Sequence, residues 1–162
     1  MAEHRMIDEI DSAILGLLQD NARISQAEVA RVVGLAPSAV LERIRKLESR
    51  GVIKGYAALV DPRELDQPML AFISVRSEHA PGDDSVAHAL AKCPEVLELH
   101  HVGGYDCYLL TVLARDAEHI GQLLRHRFGR IPGVRSTRTT IVLETVKETP
   151  RLPIPASTGD VR

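Results

Sequence analysis

The chain has 162 residues, enough for one large or two small domains, and its net charge of −2 restricts any contact with nucleic acid to a local patch. Its two cysteines, Cys93 and Cys107, are too few and too far apart for a metal motif or a disulfide framework, which fits a reducing cytosol. The charged N-terminus and the lack of a long apolar run predict no signal peptide, no membrane span and a cytoplasmic protein.

The first fifty residues predict three short helices. Apolar residues at helical spacing predict the first over residues 7–22, with Asp8 able to accept from the free N–H groups of its first turn. Ser25 with Glu28 three residues later forms a capping box for the second helix, and Gly34 is suited to end it in a left-handed conformation. The apolar stripes of the three helices can close one small core.

The third helix is predicted to begin at Pro37, where the missing N–H is harmless, although Ala36 offers no side-chain acceptor as an N-cap. At 100° per residue, the apolar side chains Val40, Ile44 and Leu47 share one narrow sector. The opposite side is small and polar at its start and basic further along. This division predicts one packed face and one free face.

Two helices joined by a tight turn predict a helix-turn-helix that binds double-stranded DNA. Between positions 36 and 56 there are five lysines or arginines against two acids, which makes this stretch locally basic. A solvated amphipathic helix in an all-α domain is the alternative. The predicted DNA-binding residues are Ser25, Gln26, Pro37, Ser38, Ala39, Glu42, Arg43, Arg45 and Lys46.

The period changes after Gly51. Residues 52–60 are β-branched and aromatic enough to predict a strand, and the boundary of the first domain is predicted at 66–68. The second half predicts a β-α-β-β-α-β order, which is the ferredoxin-like pattern of four antiparallel strands with both helices on one face. The predicted elements are strand 69–76, helix 83–92, strand 96–102, a turn at Gly103-Gly104, strand 107–114, helix 116–128 and strand 134–146.

The second face of such a sheet must be covered, and a second copy of the domain is the simplest cover. The strands carry apolar residues that could form this contact, and we therefore predict a homodimer. These residues are Phe72, Val75, Leu97, Leu99, Leu109, Ile141 and Leu143.

The polar residues of the second half have plain alternatives. His100 and His101 are neighbours on a strand, so they face opposite ways and cannot ligate one metal together. Residues 137–140 are polar in a predicted strand, which indicates either a solvated edge or the lining of a ligand site. Two consecutive glycines cost more conformational entropy on folding than a simple chain reversal requires. Gly103 and Gly104 therefore indicate that a ligand approaches the backbone closely. The alternative is that they only shape the turn.

The motifs occur in the order found in a known family and cover residues 7 to 148. With them the chain resembles the leucine-responsive regulatory protein/AsnC, or feast/famine, family of transcription regulators. The matching residues are Asp8-x-x-Asp11-x-x-Ile14-Leu15, Ala22-Arg23-Ile24-Ser25, Val33-Gly34-Leu35, Arg43-Ile44-Arg45-Lys46-Leu47-Glu48, Gly51-Val52-Ile53-Lys54-Gly55-Tyr56, Gly104-x-x-x-Tyr108 and Pro132-Gly133-Val134.

The resemblance implies an α+β protein with an N-terminal winged helix-turn-helix and a C-terminal ferredoxin-like domain. It implies a helix-turn-helix domain over 1–51, a linker strand over 52–67, an effector-binding and oligomerisation domain over 68–148, and a proline-containing, unstructured tail over 149–162. The family assembles dimers into octamers or related rings. We therefore expect a sequence-specific DNA-binding regulator.

The resemblance also implies that a small effector, usually an amino acid, binds near the glycine-containing turn. Where many members have Asp before the tyrosine, this chain has Cys107, with Asp106 one residue earlier. The predicted effector-binding residues are Val102, Gly103, Gly104, Tyr105, Asp106, Tyr108, Thr137 and Thr139.

Two hypotheses therefore stand at the level of the sequence. The first is an effector-responsive DNA-binding regulator, with no enzymatic activity, catalytic residue, metal or cofactor. The second is a metabolic ferredoxin-like enzyme or ligand-binding module with an attached helical interaction domain. Only the first requires Ser38, Arg43, Arg45 and Lys46 to be exposed together.

Overall fold

A computed structural model of the chain describes residues 7–78 and 83–154 and divides into two compact units. Of the described residues, the N-terminal unit contains 7–58 together with 148–154. The sheet unit contains the described residues of Leu59–Lys147. The two units divide between Ala58 and Leu59, ahead of the boundary predicted at 66–68.

The N-terminal unit contains three helices, α1 (Glu9–Asp20), α2 (Gln26–Val33) and α3 (Pro37–Ser49). The predicted caps are confirmed: the Asp8 carboxylate accepts from the N–H of Asp11, and the Ser25 hydroxyl accepts from the N–H of Glu28. These bonds satisfy N–H groups that a helix start leaves without partners.

Local chemistry also determines the turn between α2 and α3. Gly34 has φ of 72°, the left-handed conformation predicted for it, and Pro37 is the first residue of α3. Ala36 is the N-cap and makes no side-chain capping bond. Side chains from all three helices close a core around Ile14, Val40 and Leu47, which are at most 1% exposed.

The sheet unit has the predicted β-α-β-β-α-β order, and its four antiparallel strands are arranged β2-β3-β1-β4. Short 3-10 turns lie at Pro62–Leu65 and Phe128–Arg130. The elements are β1 (Met69–Ser77), α4 (Ser85–Ala91), β2 (Val96–His101), β3 (Tyr108–Ala114), α5 (Ala117–His126) and β4 (Val134–Ile141).

Both helices pack on one face of this sheet. Ile73 and Val75 of β1 and Leu110 of β3 point into that core and are fully buried, together with Leu90 of α4 and Leu123 of α5. The other face, which we call the open face, has no helix against it among the described residues, and its apolar side chains include Leu70, Phe72 and Leu109.

Three residues predicted for the open face lie on the helix-covered face. Val75 is in the core, Leu99 pairs with Leu110, and Ile141 pairs with the buried Ala71. Their assignment was wrong because strand register decides which alternate residues face the helices, and apolarity alone does not reveal it. Leu143 lies beyond the last strand and is 97% exposed.

Two predicted strands differ from the structure. Residues 52–60 form no strand, because the extended backbone there has no partner strand within the described chain. The last strand ends at Ile141 instead of continuing to 146, although the N–H of Val142 still donates to the carbonyl of Leu70. The residues in both places have the propensity of a β-strand, but they do not form a strand ladder with another described strand.

The described part of the predicted unstructured tail, residues 149–154, has a defined place. It belongs to the N-terminal unit and makes hydrogen bonds with the end of α1. Residues 155–162 lie outside the described chain. The prolines at 150 and 153 therefore do not prevent this segment from binding to α1.

Candidate nucleic-acid interface and effector site

The free face of α3 presents most of the predicted DNA-binding set to solvent. Ser38 and Ala39 lie in its first turn, exposed and half-buried respectively. Small side chains at this end allow a helix to approach base edges closely in a major groove. The other exposed members are Ser25, Gln26, Pro37, Glu42, Arg45 and Lys46.

Arg43 differs from the other cations of α3 because it is already bound. Its guanidinium Nη1 lies 2.7 Å from a carboxylate oxygen of Asp8 and 2.7 Å from one of Asp11, and its side chain is 30% exposed. Asp8 therefore caps α1 and holds α3 with the same carboxylate. The sequence suggested a phosphate contact for Arg43, whereas the structure gives it the task of positioning α3 against α1.

The pKa of Asp8 is lowered, first by the hydrogen bond from the Asp11 N–H and then by the Arg43 guanidinium. A lowered folded-state pKa means that the interaction stabilises the folded protein above the unfolded value of about 3.9 and is lost as the pH falls through the folded value. The Asp8 side chain is 52% exposed, so solvent screening keeps this effect small.

We expect Asp8→Asn to lower the free energy of unfolding of the N-terminal unit by about 0.2–1 kcal/mol at pH 7. Asparagine still caps a helix but cannot pair with Arg43, and the difference should therefore be largest at pH 7 and decrease towards pH 2, as the wild-type carboxylate becomes protonated below its lowered pKa. Urea unfolding followed by circular dichroism at both pH values measures this. Asp116→Asn is the matched control, since that N-cap accepts from His119 and has no arginine partner. An equal loss at both pH values would contradict the assignment.

The remaining cations of α3 are available. Lys46 Nζ lies 2.8 Å from Glu42, but both side chains are 67% exposed and such a pair contributes little. Arg45 is exposed and makes no ion pair with the described residues. Arg45 and Lys46 can therefore contact phosphates at little cost.

One backbone bond closes the hairpin at the turn between β2 and β3, and a second joins the turn to β1. The N–H of Val102 donates to the carbonyl of Cys107, and the N–H of Cys107 donates to the carbonyl of Val75 on β1, both at 2.9 Å. Gly104 has φ of 128°, which other residues rarely adopt, whereas Gly103 has an ordinary backbone conformation. Among the described residues, no hydrogen bond uses the N–H groups of positions 103–106.

Arginines from two neighbouring strands converge on this turn from the open face, and the sequence analysis did not select them. The Arg76 guanidinium lies 4.3 Å from the centre of the Tyr105 ring and donates to its hydroxyl. Arg138 of β4 bonds the Asp106 carboxylate and lies 3.5 Å from the Ser74 hydroxyl. Polar residues alternating with buried ones on β1 are the signal that could have found them.

The structure separates three predicted effector-binding residues from this cluster. Tyr108 pairs with Val75, is 1% exposed and contacts the ring of His101 on the helix-covered face. Thr137 and Thr139 pair with Val75 and Ile73, so they point to the same covered face. Position along a strand next to a site does not place a side chain in it, because neighbours alternate between faces.

The described residues show no group of three or more histidines, cysteines or acids that could hold a metal ion. His100 and His101 pair with Leu109 and Tyr108, so they lie on opposite faces of the sheet, as predicted. No helix within residues 7–78 and 83–154 has the length and apolarity needed to cross a membrane.

A helix-turn-helix with a free basic face, joined to a ferredoxin-like sheet unit, defines a two-domain DNA-binding regulator. The comparison with known families agrees: residues 7–54 match the winged helix-turn-helix DNA-binding model, and residues 70–152 match the Lrp/AsnC ligand binding domain. The chain belongs to the Lrp/AsnC family of transcription regulators.

Its relatives are similar over nearly their whole length. The chain is 41% identical over 148 residues to the HTH-type transcriptional regulator FL11 of Pyrococcus horikoshii, covering 91% of this chain and 97% of that one. It is 40% identical over 150 residues to the leucine-responsive regulatory protein of Escherichia coli, covering 91% and 92%. The crystal structure of a Neisseria meningitidis transcriptional regulator in complex with L-methionine has a TM-score of 0.85 and 32% identity, covering 91% and 97%.

Family membership decides between the two sequence-based hypotheses. The chain is a DNA-binding transcription regulator, and the alternative of a ferredoxin-like metabolic enzyme is wrong. The folds of such enzymes and of this sheet unit are shared, but function follows the site and not the fold.

Proposed function

We propose that this regulator binds specific DNA sites as a homodimer in the cytoplasm and that a free amino acid controls its assembly or its DNA affinity. The effector site is the β2–β3 turn, residues 102–107. The observation that carries this proposal is the run of four N–H groups at 103–106 without partners among the described residues. Successive free N–H groups in a turn form a concave binding place for an anion such as an α-carboxylate.

The surroundings of the turn support an amphipathic ligand. Gly103 and Gly104 leave the backbone open, and the Tyr105 side chain is 73% exposed beside them. The L-methionine complex of the Neisseria relative supports an amino acid as the ligand class. Thr137 and Thr139, which point away, are left out of the proposed site.

The ammonium group of the ligand needs a separate acceptor. The Asp106 carboxylate is bonded to Arg138 and only 17% of its side chain is exposed, so it is not free to receive a second cation. We propose that a neighbouring copy of the chain completes the site, in an octamer or a similar ring of dimers. The effector would then bind one assembly state more tightly than another, and it would therefore strengthen or weaken the contacts between copies.

The DNA-binding half of the proposal uses α3 as the reading helix. Ser38 and Ala39 contact base edges, while Arg45 and Lys46 bind phosphates and set the position of the helix. Arg43 does not contact DNA directly but holds α3 on α1. Residues 52–67 act as the linker to the effector-binding and oligomerisation domain, which we place at 68–148.

The open face of the sheet is the proposed dimer interface. Phe72 is 40% exposed in the single chain, although it lies in a strand, and the apolar side chains of Leu70 and Leu109 share this face with it. A two-fold axis on this face would present the same strands of both copies to each other. Two helix-turn-helix units per dimer then fit two half-sites.

Gel-shift measurements with the protein's own upstream DNA, with and without each of the twenty amino acids, test the proposed function as a whole. We expect a salt-sensitive complex whose affinity or stoichiometry changes with one or a few amino acids. A complex that responds to none of them would refute the proposed effector class.

Gly104→Val should abolish amino-acid binding and leave dimerisation and basal DNA binding intact. A Cβ at Gly104 meets nothing within 4 Å, so the effect comes from the backbone, since φ of 128° is strained for valine and the turn must rearrange. Gly103→Ala is the matched control because its φ is ordinary and its Cβ also meets nothing. Titration calorimetry measures both variants. Unchanged affinity in Gly104→Val would remove the turn from the site.

A further inference from the structure

The last described residues of the chain are fastened to the first helix. The Gln19 side-chain amide forms two hydrogen bonds with the backbone of Leu152: its Nε2 donates to the carbonyl at 3.0 Å, and its Oε1 accepts from the N–H at 2.6 Å. Arg151 forms an ion pair with Asp20, the last residue of α1. Three contacts thus hold residues that are more than 130 positions apart in sequence.

The contact recognises backbone more than side chain. The Leu152 side chain is 72% exposed, and the bond-forming groups are its N–H and carbonyl. Prolines at 150 and 153 favour extended backbone at the residues before them, Thr149 and Leu152. The prolines therefore reduce the conformational freedom that this segment loses on docking.

The docked segment gives the chain a second passage between its two units. The chain leaves the N-terminal unit near Ala58, forms the whole sheet unit and returns at Glu148. We propose that residues 149–154 act as a strap that attaches the sheet unit to α1, so that the N-terminal unit is tethered at both ends of the sheet unit. Without the strap, only the linker after α3 would join them, and residues 54–60 of that linker are exposed and form no helix or strand.

A doubly tethered helix-turn-helix explores fewer orientations than a singly tethered one. In a dimer, this restriction raises the effective concentration of the second reading helix at its half-site once the first is bound. This step depends on the proposed function as a DNA-binding dimer. The strap itself does not, so the two can be tested separately.

Docking is measured directly by amide hydrogen exchange in the full-length protein. We expect the Leu152 N–H to be protected and Gln19→Met to reduce its protection roughly tenfold or more, since methionine keeps the size and helix propensity of glutamine but forms neither bond. Gln122→Met is the matched control, because Gln122 is an exposed glutamine on α5 that donates to Glu118 on the same helix. No protection of Leu152 in the wild type, or equal protection in Gln19→Met, would overturn the strap.

Tethering is measured by cleavage after Lys54 with a lysine-specific protease, which requires no DNA. We expect faster cleavage in Gln19→Met and in Leu152→Pro, which removes the N–H donor and leaves α1 unchanged. Unchanged cleavage in both variants would overturn the tethering role.

DNA affinity completes the test. Gln19→Met and Leu152→Pro, which release the strap, should each weaken DNA binding by about three- to tenfold. The slope of log K against log salt should stay the same, because no phosphate contact is lost. A changed slope, or an unchanged affinity with Leu152 exposed, would refute the coupling to DNA binding. A wild-type protein that binds no DNA would refute the proposed function, and the exchange and cleavage results would still decide on the strap.

Discussion

Replacing Arg45 and Lys46 together by alanine should lower the affinity for duplex DNA roughly 10- to 100-fold near 0.1 M salt. Both side chains are exposed on the free face of α3, and the weak pair between Lys46 and Glu42 is the one ion pair that either makes with the described residues. Each phosphate contact releases counterions, so the slope of log K against log salt should flatten by about two for each protomer on the duplex. Fluorescence anisotropy over a series of salt concentrations measures both quantities.

The loss should be the same for all DNA sequences, since phosphate contacts carry no base information. Arg115→Ala with Arg125→Ala removes two exposed arginines from the sheet unit and serves as the charge-matched control. An unchanged slope in the α3 variant would show that these two residues do not contact phosphates, and α3 would lose its assignment as the basic part of the interface.

If the proposed dimer forms through the open face, Phe72→Glu should convert it into a monomer at micromolar concentration. Phe72 lies on β1 with its side chain on the open face, where a partner sheet would surround it. A carboxylate buried there without a partner costs several kcal/mol, which is a large part of the free energy of an ordinary dimer contact. Sedimentation velocity measures the change, and DNA affinity should fall with it because the second half-site contact is lost.

Val32→Glu is the control for this substitution. Val32 is an apolar residue on α2 that is 56% exposed, so glutamate there changes the same charge without entering the open face. Circular dichroism establishes that both variants are folded. A folded Phe72→Glu protein that sediments like the wild type would move the dimer interface to another surface.

The local rules of the sequence determined most of this fold. Asp8 and Ser25 cap the helices that they were predicted to cap, and Gly34 ends α2 in the left-handed conformation. Such features depend on residues within four positions of each other, so a single sequence contains all the information needed. Alternating and helical periodicity likewise revealed the β-α-β-β-α-β order.

Tertiary structure decided the features that depend on residues distant in sequence. From its position on α3, Arg43 was predicted to be an exposed basic residue that binds DNA. In the structure its guanidinium is bound by Asp8 and Asp11, which are more than thirty residues away in sequence. Arg76 and Arg138 meet the β2–β3 turn only because β1 lies between β3 and β4 in the sheet. Register, and not composition, turned Tyr108 and Thr137 away from that turn.

The clearest separation between the two kinds of information is at the C-terminus. The sequence by itself determined that prolines restrict the backbone before them, and residues 149–154 were predicted to belong to an unstructured tail. Only the tertiary structure decided that they are bound, because the acceptor and donor that hold Leu152 belong to Gln19 on the first helix. An extended segment and a docked strap have the same local preferences, and they differ in whether a partner at the other end of the chain supplies the missing hydrogen bonds.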